Sequence, residues 1–228
     1  MRISTILLSW LLRKKILMDE KEIRTVNIST TSNGEDLFLA DYFSGEKGAY
    51  LEIGCNHPRL YNLTYNLYGK GWRGVCVDPN PSFGNEFLKK RPRDFFLNNA
   101  LGDPATRFAY HEYSFDQLNH LTIFGAQPRP QGQSQLLRSS PIATISWEDL
   151  IERTKKEFVE FDLLLIDAEC QSVELLVAAP IPDLLFPRVI VVEAPVDVEA
   201  NCVKEKLGPL GYRPLLQFPK SGNLYFFR

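Results

Sequence analysis

Five short apolar runs in this chain each stop at an acid, an amide or a glycine. They are AYLEIG (49–54), RGVCVD (73–78), DFFLNNA (94–100), FDLLLID (161–167) and RVIVVEA (188–194). Runs this continuously apolar need cover on both faces, as strands of a parallel sheet have. Segments with helical spacing lie between them: one in RLYNLTYNLYGKG that stops near Gly69 and Gly71, one in NEFLKKR, one from Glu148 and one in SVELLVAA. A helix near 197–207 follows the last run, and YRPLLQF and NLYFF, joined by PKSG, read as a closing hairpin. The rhythm predicts an α/β fold: a mostly parallel sheet with helices on both faces and an antiparallel edge.

Outside that rhythm, NGEDLFLADYFS (33–44) reads as a short helix and TRFAYHEYSFD as an extra strand or hairpin. FGAQPRPQGQSQLLRSS (124–140) is rich in Gly, Pro, Gln and Ser and reads as a long mobile loop, expected to close over an acceptor. IATISW returns as a strand, and no internal repeat is present.

The 228 residues fit one domain, expected over 32–228. A formal charge of −2 supplies no basic field, so no nucleic-acid partner is expected. Cys55, Cys76, Cys170 and Cys202 show neither CxxC spacing nor clustering with histidine, which argues against structural zinc and for a reducing, cytoplasmic compartment. Residues 1–31 are expected as a helical extension. The apolar stretch Ile3–Leu12 is too short to span a bilayer, and the flanking charges do not suit a secretory signal. Ile3, Ile6, Leu7, Trp10 and Leu11 recur at helical spacing, so residues 3–17 are expected to pack on the domain or a partner chain, with a membrane-surface helix as the alternative.

In a parallel sheet, ligands bind beyond the carboxyl ends of the strands. Gly54-Cys55-Asn56, Asp78, Asn98-Asn99, Asp167-Ala168-Glu169 and Glu193 all fall there. Asp78 comes 24 residues after Gly54, one strand–helix–strand step on, and an acid there suits two ribose hydroxyls. A dinucleotide also needs glycines to cradle its pyrophosphate, yet Asn56 and Pro58 stand where glycines would help. S-adenosylmethionine carries no phosphate. Glu52 for its ammonium group, Gly54 for a close backbone approach and Asp78 for its ribose meet its needs better.

These motifs, in order, resemble the FkbM-type S-adenosylmethionine-dependent methyltransferases from about Ser32 to Glu193. SNGEDLFL is similar to the family's entry motif and LEIGCNHP to its first cofactor motif in an NHP variant. NLTYNLYGKGWRGVCVDPNP, NNALGD, FDLLLIDAECQSVELL and VIVVEAP are similar to the successive later motifs. Cys170 stands where the family usually has glycine, and no glycine follows Asn56, so His57-Pro58 must make that turn. The resemblance implies a seven-stranded class I methyltransferase fold. It also implies methylation of a hydroxyl on a sugar, glycolipid or secondary metabolite.

Methyl transfer to a hydroxyl calls for a base. Asp167 and Glu169 are candidates as base or acceptor-binding groups, against simple capping of the next helix. Two carboxylates also suit a divalent cation, but as a thin ligand set, and no metal residue is assigned. His57 is a third catalytic candidate, against satisfying local backbone groups. His111 and His120 read as surface residues. Asn56 and Asn62-Leu63-Thr64 suit the cofactor carboxylate or a helix cap. Asn99 and Ala100 suit the adenine, against an ordinary turn. Trp72 reads as packing and Glu193 as a cap. Two rival readings are an RNA-modifying enzyme and a catalytically silent module that binds a nucleoside or a protein. KKRPRDFF is too small a basic run for the first, while Cys170 and the missing glycines motivate the second.

Overall fold

The computed structural model describes residues 29–228 apart from 116, 117, 131, 170 and 219. The helical expectation for the first 28 residues and the Cys170 departure lie outside that set. Residues 29–31 are tied to the domain through Asp36, which accepts from Ser29 Oγ and the Thr30 amide at 2.6 Å each, and from Asn66 Nδ2 at 2.8 Å.

Asp36 belongs to helix α1 (Glu35–Tyr42), whose two leading acids suit the positive end of the helix. The central sheet follows. Its strands are β1 (Ala49–Ile53), β2 (Arg73–Val77), β3 (Phe95–Leu97), β9 (Leu163–Ile166), β10 (Val189–Glu193), β11 (Arg213–Phe218) and β12 (Asn223–Phe227). They lie in the order β11-β12-β10-β9-β1-β2-β3. β12 runs antiparallel to both β10 and β11, whereas the other pairings are parallel. Counted along the chain within this sheet the order is 3-2-1-4-5-7-6, with the seventh strand reversed between the fifth and sixth. That is the class I methyltransferase fold.

Alternation along the strands divides the core in two. Leu51, Ile53, Val75, Val77, Leu164, Ile166, Ile190 and Val192 face α4 (Trp147–Thr154), α5 (Ser172–Ala178) and α6 (Asp197–Leu207). Tyr50, Cys76, Leu163, Leu165, Val189, Val191 and Tyr225 face α1, α2 (Tyr65–Gly69) and α3 (Phe83–Lys90). Trp72 is buried in the second core, as packing. The helix expected near 197–207 is found over Asp197–Leu207, and the closing hairpin is β11–β12.

Between β3 and α4 the chain departs from the expectation. The expected third strand is split into β3 and the two-residue β4 (Ala100–Leu101), which pairs with β8 (Thr144–Ile145). A separate antiparallel sheet, β6-β5-β7, is built from β5 (Phe108–Tyr113), β6 (His120–Ile123) and β7 (Leu136–Ile142). The end of the expected loop, 136–140, is therefore strand, because its backbone pairs with β5 despite its polar composition. Among the described residues no helix is long and apolar enough to cross a membrane.

Candidate functional site

From β1 the chain moves outward to β2 and β3, then crosses back to β9 and β10, so the sheet's direction of growth reverses between β1 and β9. Crevices beyond the carboxyl ends of strands open at such a reversal. A cavity of about 200 Å³ lies here. Gly54, Asn56, Asp78, Asn99, Ala100, Asp167 and Glu169 line it, joined by Tyr61, Tyr110, Asn119, His120 and Gln171.

Gly54 has φ 77, and a β-carbon there would stand 1.8 Å from the Asp167 carbonyl oxygen. The glycine thus admits the neighbouring strand end, a different reason from the close cofactor approach read in the sequence. Asn56 carries φ 51, a conformation asparagine tolerates, and its amide donates to Asp78 Oδ2 at 2.8 Å. Asp78 Oδ1 accepts from the Asn80 amide at 2.9 Å. One carboxylate therefore fixes two turns while lining the cavity.

Two expected site residues are elsewhere. Glu52 is 2% exposed and does not line the cavity. It accepts from Thr64 Oγ1 at 2.6 Å and lies 3.9 Å from Arg91 Nη1. The even strand positions that carry it point into the second core, so it is a core carboxylate, with burial raising its pKa against the pull of Arg91. Arg91 is 1% exposed. It also holds Asp94 at 2.6 Å, Asn62 Oδ1 at 2.7 Å and Tyr50 OH at 2.7 Å, and Asn62 Nδ2 passes the support on to the Cys55 carbonyl at 2.9 Å. Asn62 and Thr64 are thus supports beneath the turn.

His57 likewise misses the cavity lining. Its Nδ1 accepts from the Arg59 and Leu60 amides at 3.1 and 2.9 Å, so the ring closes its own turn. Burial first, and the nearby Lys90 charge second, lower its pKa to about 4. Cys55 and Cys76 are buried thiols whose pKa burial raises, the opposite of what a nucleophile needs.

Asp167, Glu169 and Glu193 converge: one carboxylate oxygen from each lies within 4.8 Å of the others. Burial and then repulsion by Glu193 and Glu169 hold Asp167 well above the usual carboxylate range. Burial and Glu193 raise Glu169 to about 7, against an opposing pull from Arg129. Glu193, read from the sequence as a cap, does accept from Ser172 Oγ at 3.3 Å, yet it is also the third member of this cluster. Its place one strand over from Asp167, at the same height, is the signal that could have found it.

The histidines reverse expectation. His111 and His120 are each 2% exposed, and their rings are 5.3 Å apart. His120 walls the cavity, with Nδ1 donating to the Leu118 carbonyl at 3.1 Å and Nε2 accepting from the Arg129 amide at 3.1 Å. A surface strand would expose such residues; here both sides of the small sheet are engaged. None of the described residues of 124–140 lines the cavity. The wall expected from that loop comes from Tyr110, Asn119, His120 and Leu121 instead.

No family model matches the chain, and no curated protein matches it. Among solved structures it is similar to the 1,6-didemethyltoxoflavin-N1-methyltransferase of Burkholderia thailandensis, determined with 1,6-didemethyltoxoflavin and S-adenosylhomocysteine bound. Identity is 14% over 99% of this chain and 88% of that one, with a TM-score of 0.42. A likeness of that degree assigns no activity to this chain.

Proposed function

We propose that the chain is an S-adenosylmethionine-dependent methyltransferase acting on a hydroxyl of a sugar, glycolipid or secondary metabolite. The observation that carries this reading is the cavity at the sheet's reversal, where Asp78, Asn99 and Ala100 line one part and Asp167 and Glu169 another. In this reading Asp78 binds the ribose hydroxyls and Asn99 with Ala100 borders the adenine. Asn56 and Pro58, in place of a glycine cradle, favour a nucleoside without a pyrophosphate.

When bound, the cofactor supplies an activated methyl carbon. The protein's part is chiefly to align the acceptor oxygen with it, an effect worth about 7–11 kcal/mol in well-oriented systems. With the cofactor bound, Asp167 or Glu169 would take the proton of the acceptor hydroxyl. Such proton transfer contributes roughly 10²–10⁴-fold. Tyr110, Asn119, His120 and Leu121 wall the cavity and limit water. Glu52 and His57 support the turn from behind.

Calorimetry with S-adenosylmethionine tests the cofactor, with one site per chain expected. Transfer of a labelled methyl group into a panel of glycans and metabolite extracts tests the acceptor class. Absence of saturable cofactor binding overturns the reading; binding without transfer to any acceptor favours the silent module.

A further inference from the structure

The ends of β9, β10 and β12 set three polar side chains in one row. Ile166 is the register partner of Val192, which brings Asp167 beside Glu193, and Glu193 stands opposite Asn223. Alternation places all three on the face that carries Leu165, Val191 and Tyr225. Glu169 joins from the loop, so that three carboxylate oxygens lie within 4.8 Å of one another. Two oxygens on one calcium ion, each about 2.4 Å from it, are at most about 4.8 Å apart, and on magnesium about 4.2 Å. Separations below that bound are compatible with a cation's ligand shell.

Asn223 supplies a second, independent observation. It is 2% exposed, and its Nδ2 donates to Glu35 Oε1 at 2.8 Å. Turning the amide over would set its oxygen against that carboxylate, so the orientation is fixed. Oδ1 is then a buried acceptor with no hydrogen-bond partner, in the row that holds Glu193 and Asp167. A deprotonated carboxylate offers that oxygen no donor, whereas a cation held among the three acids would satisfy it. Arg129 sends a positive charge toward Glu169 and Glu193, but it is exposed on the connection between β6 and β7.

We propose that Asp167, Glu169 and Glu193, with Asn223 Oδ1 as a neutral fourth oxygen, hold a hard divalent cation. An all-oxygen set suits magnesium, manganese or calcium over zinc or copper. The site deepens the methyl-transfer reading, since the ion would lie beside the acceptor hydroxyl, but its binding is measured without the cofactor.

The test is titration of the full chain with manganese, followed by electron paramagnetic resonance, and calorimetry with magnesium and calcium. One ion per chain is expected, with affinity falling at least about tenfold in Glu193→Gln and in Glu169→Gln, and less in Asn223→Ala. The ion should raise the melting temperature of the wild type but not of Glu193→Gln. Glu169→Gln, altered on the loop, gives the same answer if the strand variant fails to fold. No saturable uptake of any of the three ions at about 10 mM, beyond the weakest sites of this kind, overturns the proposal. So does uptake unchanged in both glutamine variants, and carboxyls sharing protons in place of a metal would show the first result. Ion binding without S-adenosylmethionine binding would instead overturn the cofactor reading alone.

Discussion

The carbonyl oxygen of Asp167 occupies the space beside Gly54 so closely that an added β-carbon would sit 1.8 Å from it. Gly54 therefore locks two strand ends at the sheet's reversal together. Gly54→Ala should destabilise the fold by about 1–3 kcal/mol from overpacking alone, with a further cost from its left-handed backbone. Urea denaturation monitored by circular dichroism measures it, and an unchanged midpoint would show that the two strand ends separate freely.

Asp78 holds the Asn56 and Asn80 amides while facing the cavity. Removing it strips the proposed ribose acceptor and also releases the turn. Losing two hydrogen bonds to a charged group, at about 1.5–3 kcal/mol each, should weaken S-adenosylmethionine binding by at least about 100-fold in Asp78→Ala. Calorimetry gives the answer, and unchanged affinity removes the ribose assignment.

Asp167→Asn and Glu169→Gln keep shape and remove the proton acceptor. Each should retain cofactor affinity, and the one that acts as base should lose roughly 10²–10⁴-fold in turnover. Single-turnover methyl transfer, once an acceptor is found, separates this from a binding defect. Full turnover in both would exclude a carboxylate base here.

His57 has a pKa lowered to about 4, below the roughly 6.5 of the unfolded chain. As the pH falls, the unfolded chain takes up the proton first. The stability tied to the neutral ring is thus fully present above about pH 6.5 and is lost as the pH falls toward about 4. Denaturation midpoints between these limits should decline less steeply in His57→Asn than in the wild type. The raised pKa values of Asp167, Glu169 and Glu193 act in the opposite direction, so only the difference between variant and wild type isolates His57.

Arg91→Met leaves Asp94 and Glu52 buried without their cation. Breaking a buried pair in this way costs about 3–5 kcal/mol. Adding Asp94→Asn should recover part of the loss, which a double-mutant cycle in urea would read directly.

The strand ends were legible one by one. Apolar runs closed by Gly54, Asp78, Asn99 and Asp167 announced a parallel sheet and its binding edge, because burial on both faces leaves only the ends for polar groups. The small sheet was legible only in part: TRFAYHEYSFD announced β5, but β7 contains LLRSSPI, whose composition reads as loop, and only pairing with β5 makes it a strand. His111 and His120 looked like surface residues for the same reason.

By itself the sequence determined which segments become buried strands and which residues end them, since apolar continuity and helical spacing are local properties. Tertiary structure alone decided which of those end groups meet. Glu52 and Asp78 share a sheet face by alternation, yet Glu52 lies within β1 above the core beside Arg91, whereas Asp78 lies just past the end of β2, where the cavity opens. Register, a contact between residues far apart in the chain, brought Glu193 between Asp167 and Asn223.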